Sequence, residues 1–309
     1  MLHRRENNSK SPALAAGILR LHAKALIMIV EEYTAEELNF AYCYRVYFRW
    51  HSYRNRSLGI PSNGDYPALE TKLNGVGVHL LEANQQHETD LGLLVSLKPV
   101  DSVAVAASKL KGRASKWMRE DVRAETDGKM FGRGYFAATF GQSNREEVME
   151  YLDIQGNHHD YIDVGPTPVY TEMLDGTAEK LEALQTSHAA TKLLFHIVLS
   201  TQKRLGFFSS AHGRAMAETL KLWQEKHKYR LLKMSFVPDH VHIALAVHPT
   251  VAPEGLITTL MNKTQDFASH NFSSQMVKKG LERLWQPSAY LGSFGDITSA
   301  AMRQYVVDW

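Results

Sequence analysis

Residues 235–247 read Ser-Phe-Val-Pro-Asp-His-Val-His-Ile-Ala-Leu-Ala-Val. Two histidines stand at i and i+2, and an apolar run follows them. In an extended strand, side chains two apart share a face. His240 and His242 therefore project together, while Val241 and Ile243 pack on the other side. Two imidazoles on one face form half of a divalent-metal site, and the ion needs further ligands from elsewhere. The same spacing also suits a surface pair or two hydrogen-bonded core histidines. Pro238 and Asp239 suit the start of the strand, where a missing amide donor does little harm.

A second constellation lies upstream, in Tyr151-Leu-Asp-Ile-Gln155-Gly-Asn-His158-His159. Tyr151 and Gln155 stand at i and i+4, which puts a phenol and an amide on one face of a helix. A helical tyrosine commonly packs by its ring and keeps its hydroxyl wet. Tyr305 has a similar setting near the end of the chain, but the residue four on is Trp309, which cannot ligate a metal.

Strands must carry the histidines, and helices the tyrosines. Residues 38–50 alternate as one strand, with Tyr42, Tyr44, Val46, Phe48 and Trp50 on one face and arginines opposite. Residues 76–82 and 90–96 predict two more strands. Val103, Ala106, Ala107 and Leu110 recur at helical spacing over 102–119. Residues 134–140 predict a short strand. A helix over 143–155 opens on Ser143-Asn-Arg-Glu146, the pattern of a capping box.

The second half repeats this order. Pro99 and Pro249 stand 150 residues apart, as do Leu110 and Leu260, and Gly141 and Gly295 stand 154 apart. An ordered set of matches of this kind implies two copies of one domain. On the same register His240 falls opposite Asp90 and His242 opposite Gly92, while Tyr151 falls opposite Tyr305. The N-terminal copy thus lacks the histidine pair.

The chain of 309 residues is long enough for two ordinary domains, and its 44% hydrophobic and 22% charged residues fit a globular protein. A net charge of +2 means that any nucleic-acid surface is a local patch. Cys43 is the single cysteine, which excludes an intramolecular disulfide and fits a reducing compartment. No apolar run reaches the length of a membrane-spanning helix.

The stretch Phe-Val-Pro-Asp-His-Val-His-Ile, followed by His248-Pro249, resembles the HUH signature (histidine, bulky hydrophobe, histidine) of single-tyrosine insertion-sequence transposases. The REP-associated tyrosine transposases share it. That family's tyrosine motif is Tyr-Ile-x-x-Gln, often followed by His-His. Residues 151–159 match it, with Leu152 in place of the isoleucine. The resemblance covers nearly the whole chain past residue 38 and none of residues 1–30.

The resemblance implies an α+β fold: two tandem copies of an HUH-type ferredoxin-like domain, each an antiparallel sheet with helices, packed as an internal pseudo-dimer. The copies would span 38–162 and 190–309, with a linker at 163–189. The implied activity is metal-dependent cleavage and strand transfer of single-stranded or hairpin DNA through a 5′-phosphotyrosine. The metal would be Mg²⁺ or Mn²⁺. Because the copies differ in complementary ways, one composite site is expected: His240, His242 and Gln155 on the metal and Tyr151 attacking, with Tyr305 as the alternative nucleophile. DNA contacts are expected from Arg45, Arg49, Arg54, Arg56, Lys111, Arg113, Lys116, Lys203, Arg204 and Lys263, with Tyr53, Trp117 and Phe267 among them. The competing readings are a DNA-binding protein without catalysis that recognises hairpins or repeats, and a nicking-only nuclease. Residues 1–37 are expected to be an extension ahead of the folded domains, with a targeting presequence as the other reading. The resemblance places the protein in the cytoplasm, associated with the nucleoid.

Overall fold

The computed structural model describes residues 31–60, 66–122, 128–154, 168–174 and 184–295. Two sheets form the frame. The first copy supplies β1 (Asn39–Cys43), β2 (Arg45–His51), β3 (His79–Asn84), β4 (Asp90–Ser96) and β5 (Tyr135–Phe140). Its helices are α1 (Tyr66–Asn74), α2 (Val103–Glu120) and α3 (Arg145–Asp153). A short strand, β6 (Tyr170–Met173), follows. The second copy supplies β7 (Ala189–Lys192), β8 (Leu194–Thr201), β9 (Tyr229–Val237), β10 (His240–Val247) and β11 (Trp285–Phe294). Its helices are α4 (Ser210–Leu222), α5 (Gln224–His227), α6 (Pro253–Asn271) and α7 (Ser273–Lys279). The fold is α+β and duplicated, as the sequence repeat requires. None of the described helices is long and apolar enough to cross a membrane.

The strand orders are β1-β11-β8-β10-β9-β6 and β3-β4-β2-β5-β7. The copies exchange strands. β1 leaves its own copy and pairs parallel with β11, and β7 pairs parallel with β5. The single strand expected over 38–50 is therefore two, broken at Tyr44, where the chain passes from one sheet to the other. Tyr44 is fully buried there and meets Phe195 edge to face at 5.2 Å.

The exchange repeats as a pseudo-two-fold. Thr139 Oγ1 donates to the Phe294 carbonyl at 2.6 Å and accepts from the Leu194 amide at 2.9 Å. Ser293 Oγ donates to the Phe140 carbonyl at 2.7 Å and accepts from the Arg45 amide at 2.9 Å. The Ala104 amide donates to the Pro249 carbonyl, and the Glu254 amide to the Pro99 carbonyl, at 2.8 and 3.0 Å. Gly141 and Gly295 sit where β5 and β11 meet. A Cβ on Gly141 would lie 2.5 Å from the Ser293 carbonyl oxygen, and one on Gly295 2.5 Å from that of Thr139. Both obstacles are backbone, so only glycine fits. This is the physical reason for the 154-residue match.

One core runs through both copies. Phe48, Trp50, Leu93 and Val95 line it on one side, and Phe195, Ile197, Ile243 and Leu260 on the other. Two boundaries differ from expectation. Tyr33 lies in the expected N-terminal extension but is buried, accepting from the Trp285 amide at 2.8 Å and donating to the Trp285 carbonyl at 2.7 Å. β6 lies in the expected linker but pairs antiparallel with β9. Both segments gain backbone partners by joining the C-terminal copy.

Candidate active site

β10 runs between β8 and β9, so the histidine strand is flanked on both sides. His242 faces Val198 on β8 and Ser235 on β9, and Ala244 faces His196. Paired residues share a sheet face, as do residues two apart. One face therefore carries His240, His242 and His196, with Tyr290 beside them on β11, opposite Val198.

His240 Nδ1 lies 2.7 Å from Asp239 Oδ1, and Arg204 Nε lies 2.7 Å from Asp239 Oδ2. Arg204 also donates to Ser200 Oγ at 2.8 Å. His242 Nδ1 lies 2.9 Å from His196 Nε2, with the ring planes within 16° of each other and the centres 5.1 Å apart. The His240 and His242 ring centres are 4.8 Å apart. His240 is 2% exposed and His242 4%, so the pair sits beneath the surface. Burial pushes the His196 imidazole down to about 4, which keeps it neutral near neutral pH.

The tyrosine comes from the other copy. α3 begins at a capping box, but one residue later than the sequence pattern suggests. Asn144 Oδ1 accepts from the Glu147 amide, and the Glu147 carboxylate from the Asn144 amide, both at 2.9 Å. The acidic first turn also suits the helix dipole. The apolar face of α3, Val148 and Leu152, packs on Leu194, Leu232, Ala244, Ala246 and Phe294 of the second copy. Lys233 on β9, buried by its side chain to 1% exposure, fastens the helix end. Its Nζ donates to the Met149 carbonyl at 2.7 Å and pairs with Asp153 at 2.6 Å. A cation at a helix C-terminus favours both contacts.

Tyr151 lies between those two anchors. Its ring meets His242 edge to face, with centres 5.7 Å apart, and His196 likewise at 6.0 Å. Tyr151 is 40% exposed and Tyr290 41%, so the two tyrosines are the accessible members of the cluster. Tyr290 meets His196 at 5.8 Å from the other side, and burial raises its phenol.

The equivalent place in the N-terminal copy is filled. Asp90, opposite His240 in the repeat, forms a buried ion pair with Arg49 and accepts from the Gln86 and His87 amides at 3.1 and 3.3 Å. Gly92, opposite His242, leaves room into which Tyr47 Oη and the Asn84 side chain project, 3.2 Å from each other. These positions are thus taken up by an ion pair and by side-chain packing.

Several expected DNA contacts are elsewhere engaged. Arg49 is 6% exposed and committed to Asp90, which corrects its expected place on the surface. Lys111 turns inward and donates to the Gly132 carbonyl, and burial lowers its ammonium. Trp117 is fully buried and cannot stack on a base. Lys116 is exposed, 3.7 Å from Glu120, and Arg113 and Arg45 are half-buried. Lys263 lies over the Trp223 ring at 4.6 Å. Arg54 and Arg56 are exposed on one basic turn, and Lys203 and Arg204 on the other. Arg54, Asn55, Lys203 and Arg204 all have left-handed backbone, so the two turns match across the repeat. Only Arg204 of this set reaches the histidines, through Asp239.

Gln155, His158, His159 and Tyr305 lie outside the described residues. Among the described residues no group of three or more His, Cys, Asp and Glu side chains could hold a metal. His240 and His242 could supply two nitrogen ligands, and since each has its Nδ1 engaged by a neighbour, Nε2 would be the atom to coordinate. His196 is the residue that sequence reasoning missed. Its only signal is the alternation of 192–200, which puts it on one face with Val198 and Ser200.

A duplicated sheet, a histidine pair and a tyrosine helix invite comparison with known families. The family model described as Transposase IS200 like matches residues 69–155 and 189–308. The chain belongs to the IS200-like transposase family. One matched segment falls in each of the two copies described above, so this transposase is a tandem duplication. A solved structure of a candidate transposase from Deinococcus radiodurans R1 is similar over 37% of this chain and 88% of its own, with 20% identity and a TM-score of 0.32. A variant of the ferredoxin protease FusC in complex with Arabidopsis ferredoxin aligns over 96% of this chain and 54% of its own, at 8% identity and a TM-score of 0.18. Scores this low carry no argument for either. No match is found among the curated proteins.

Proposed function

We propose that this protein cleaves and rejoins single-stranded or hairpin DNA at one composite site, with Tyr151 of the first copy as nucleophile and His240 and His242 of the second copy, with Gln155, as ligands of Mg²⁺ or Mn²⁺. The observation that carries the reading is the edge-on approach of Tyr151 to His242, 5.7 Å between ring centres, across the boundary between the copies. The family supplies the class of reaction, transposase chemistry on DNA.

A phenol is a weak nucleophile and a phosphodiester a charged, unreactive electrophile. A bound divalent ion would offset the phosphate's charge and orient it for in-line attack. The chain's own groups do the rest. Asp239 holds His240, and His196 holds His242, so the two rings keep one geometry. Lys233 fixes the end of α3 and with it the reach of Tyr151. Attack of Tyr151 Oη on phosphorus breaks the bond to the 3′ oxygen. The phenol's proton goes to solvent, and the departing oxygen takes one up to become a 3′-hydroxyl. The 5′ phosphate stays on the tyrosine, so a second 3′-hydroxyl can reverse the step and rejoin DNA. Arg204, tied to Asp239 and 45% exposed by its side chain, would meet a neighbouring phosphate. The exposed Arg54, Arg56 and Lys203 would hold the strand further out.

The burial of His240 and His242 favours a second reading, a hairpin-binding protein that does not cut. Incubation with labelled single-stranded DNA and Mn²⁺ separates the two. The proposed function predicts cut product that disappears in His240→Ala and His242→Ala while binding persists. Cutting at the native rate by both variants would refute the metal site, and binding without cutting by the native chain would leave the second reading.

A further inference from the structure

His196 has no counterpart in the His-x-His motif, and it is not placed to join the metal ligands. Its Nε2 is spent on His242 Nδ1, 2.9 Å away. It is 46 residues from His242 in sequence, one strand over and diagonal to it, reached through the antiparallel register that puts His196 opposite Ala244. Its ring lies within 16° of the plane of His242, as a hydrogen bond through ring nitrogens requires, and Tyr151 and Tyr290 approach it edge-on. An imidazole pair at this distance needs one N–H and one bare nitrogen.

We infer that His196 is a positioning residue: it accepts a hydrogen bond from His242 Nδ1–H and so presents His242 Nε2 to the metal. The inference rests on the proposed metal site. A histidine can bind a cation only through a nitrogen without a proton, and the partner of the other nitrogen selects which one that is. Asp239 does this for His240 with a carboxylate. His196 does it for His242 with a neutral acceptor. The two ligands are thus held by unlike partners, both supplied by the second copy. The corresponding residue on β2, one place inward from Phe48, is Tyr47, whose hydroxyl meets Asn84 instead. The N-terminal copy has therefore lost the ligand at Gly92 and has no histidine to orient one.

The test is Mn²⁺ binding by the full chain without DNA, read from the electron paramagnetic resonance signal of free Mn²⁺. His196→Phe keeps an aromatic ring but removes the acceptor. His196→Gln can place an amide oxygen where Nε2 stood. The expected result is binding about 10–100-fold weaker in His196→Phe, near-native binding in His196→Gln, and loss in His242→Ala. Native affinity in His196→Phe with loss in His242→Ala overturns the role of His196 and leaves the metal site standing. Equal weakening in His196→Phe and His196→Gln also overturns it, because the acceptor would then not be what matters. Native affinity in His242→Ala overturns the metal site itself. An independent measurement needs no variant to fold. Ring ¹H–¹⁵N correlation spectra of the metal-free native chain should show His242 with its proton on Nδ1, and a proton on Nε2 overturns the inference.

Discussion

Tyr151 belongs to the first copy and His242 to the second, yet their rings meet edge to face at 84° with centres 5.7 Å apart. Strand exchange brings this about: each copy lends its first strand to the other's sheet, and α3 lies across the sheet of the second copy. The phenol and the histidine pair come from different repeats of one chain, as they would from two subunits of a dimer.

Lys233 should govern that meeting. Lys233→Met removes its bonds to Met149 and Asp153 and keeps the buried volume. Cleavage should fall by an order of magnitude or more, about 1.4 kcal/mol of barrier for each tenfold. The folded state should lose about 1–3 kcal/mol, since a charge-assisted hydrogen bond at the helix end is removed. Rates on labelled DNA and urea unfolding check both, and a native cleavage rate would show that the clamp does not position Tyr151.

The Arg49–Asp90 pair should matter for folding only. Breaking a buried pair by removing one partner costs about 3–5 kcal/mol, and Asp90 also holds two backbone amides. Asp90→Ala should lower stability by an amount of that order, while cleavage per folded molecule stays native. A selective loss of cleavage in a variant of native stability would mean that the N-terminal half-site is still at work.

Gly141 should resist any side chain. Gly141→Ala forces a Cβ against the Ser293 carbonyl and the Phe294 backbone, neither of which can rotate away. Overpacking of this kind costs about 1–3 kcal/mol, visible as a lowered unfolding midpoint. An unchanged midpoint would mean that the β5–β11 crossing is looser than its distances.

Stability should depend on pH through His196. Its folded-state value is pushed down to about 4 by burial, below the ordinary histidine value. Above about pH 6.5 both folded and unfolded chains hold a neutral imidazole, and the group contributes no pH dependence. As pH falls through that range the unfolded chain takes a proton that the folded chain refuses. The loss should reach on the order of 2 kcal/mol by about pH 4.5. Unfolding free energies of native protein and His196→Gln should diverge over this window, and parallel curves would contradict the assignment.

The repeat, the histidine strand and the tyrosine helix were legible because each rests on local spacing. The offsets of 150 and 154 residues align Pro99 with Pro249 and Gly141 with Gly295, and these prove to be paired contacts of the pseudo-two-fold. The capping box lies at Asn144 and Glu147 because Ser143 stands one residue too early for the helix that forms. The break at Tyr44 was not legible, since residues on both sides of it continue one alternation and only the partner sheet tells them apart. Arg49 looked exposed because arginine alternates with apolar residues there, but its face is covered and Asp90 is its partner. His196 escaped notice because a lone histidine in a strand gains meaning only from the register that sets it diagonal to His242.

The central claim is that one chain builds its site from both copies, and the covalent adduct tests it. The chain is incubated with labelled single-stranded DNA and Mn²⁺, resolved on a denaturing gel, and digested, and the DNA-bearing peptide is identified by mass. The composite site predicts an adduct on Tyr151 that is absent from Tyr151→Phe and undiminished in Tyr305→Phe. An adduct on Tyr305 that survives Tyr151→Phe would contradict it and leave the contact between Tyr151 and His242 without a chemical role.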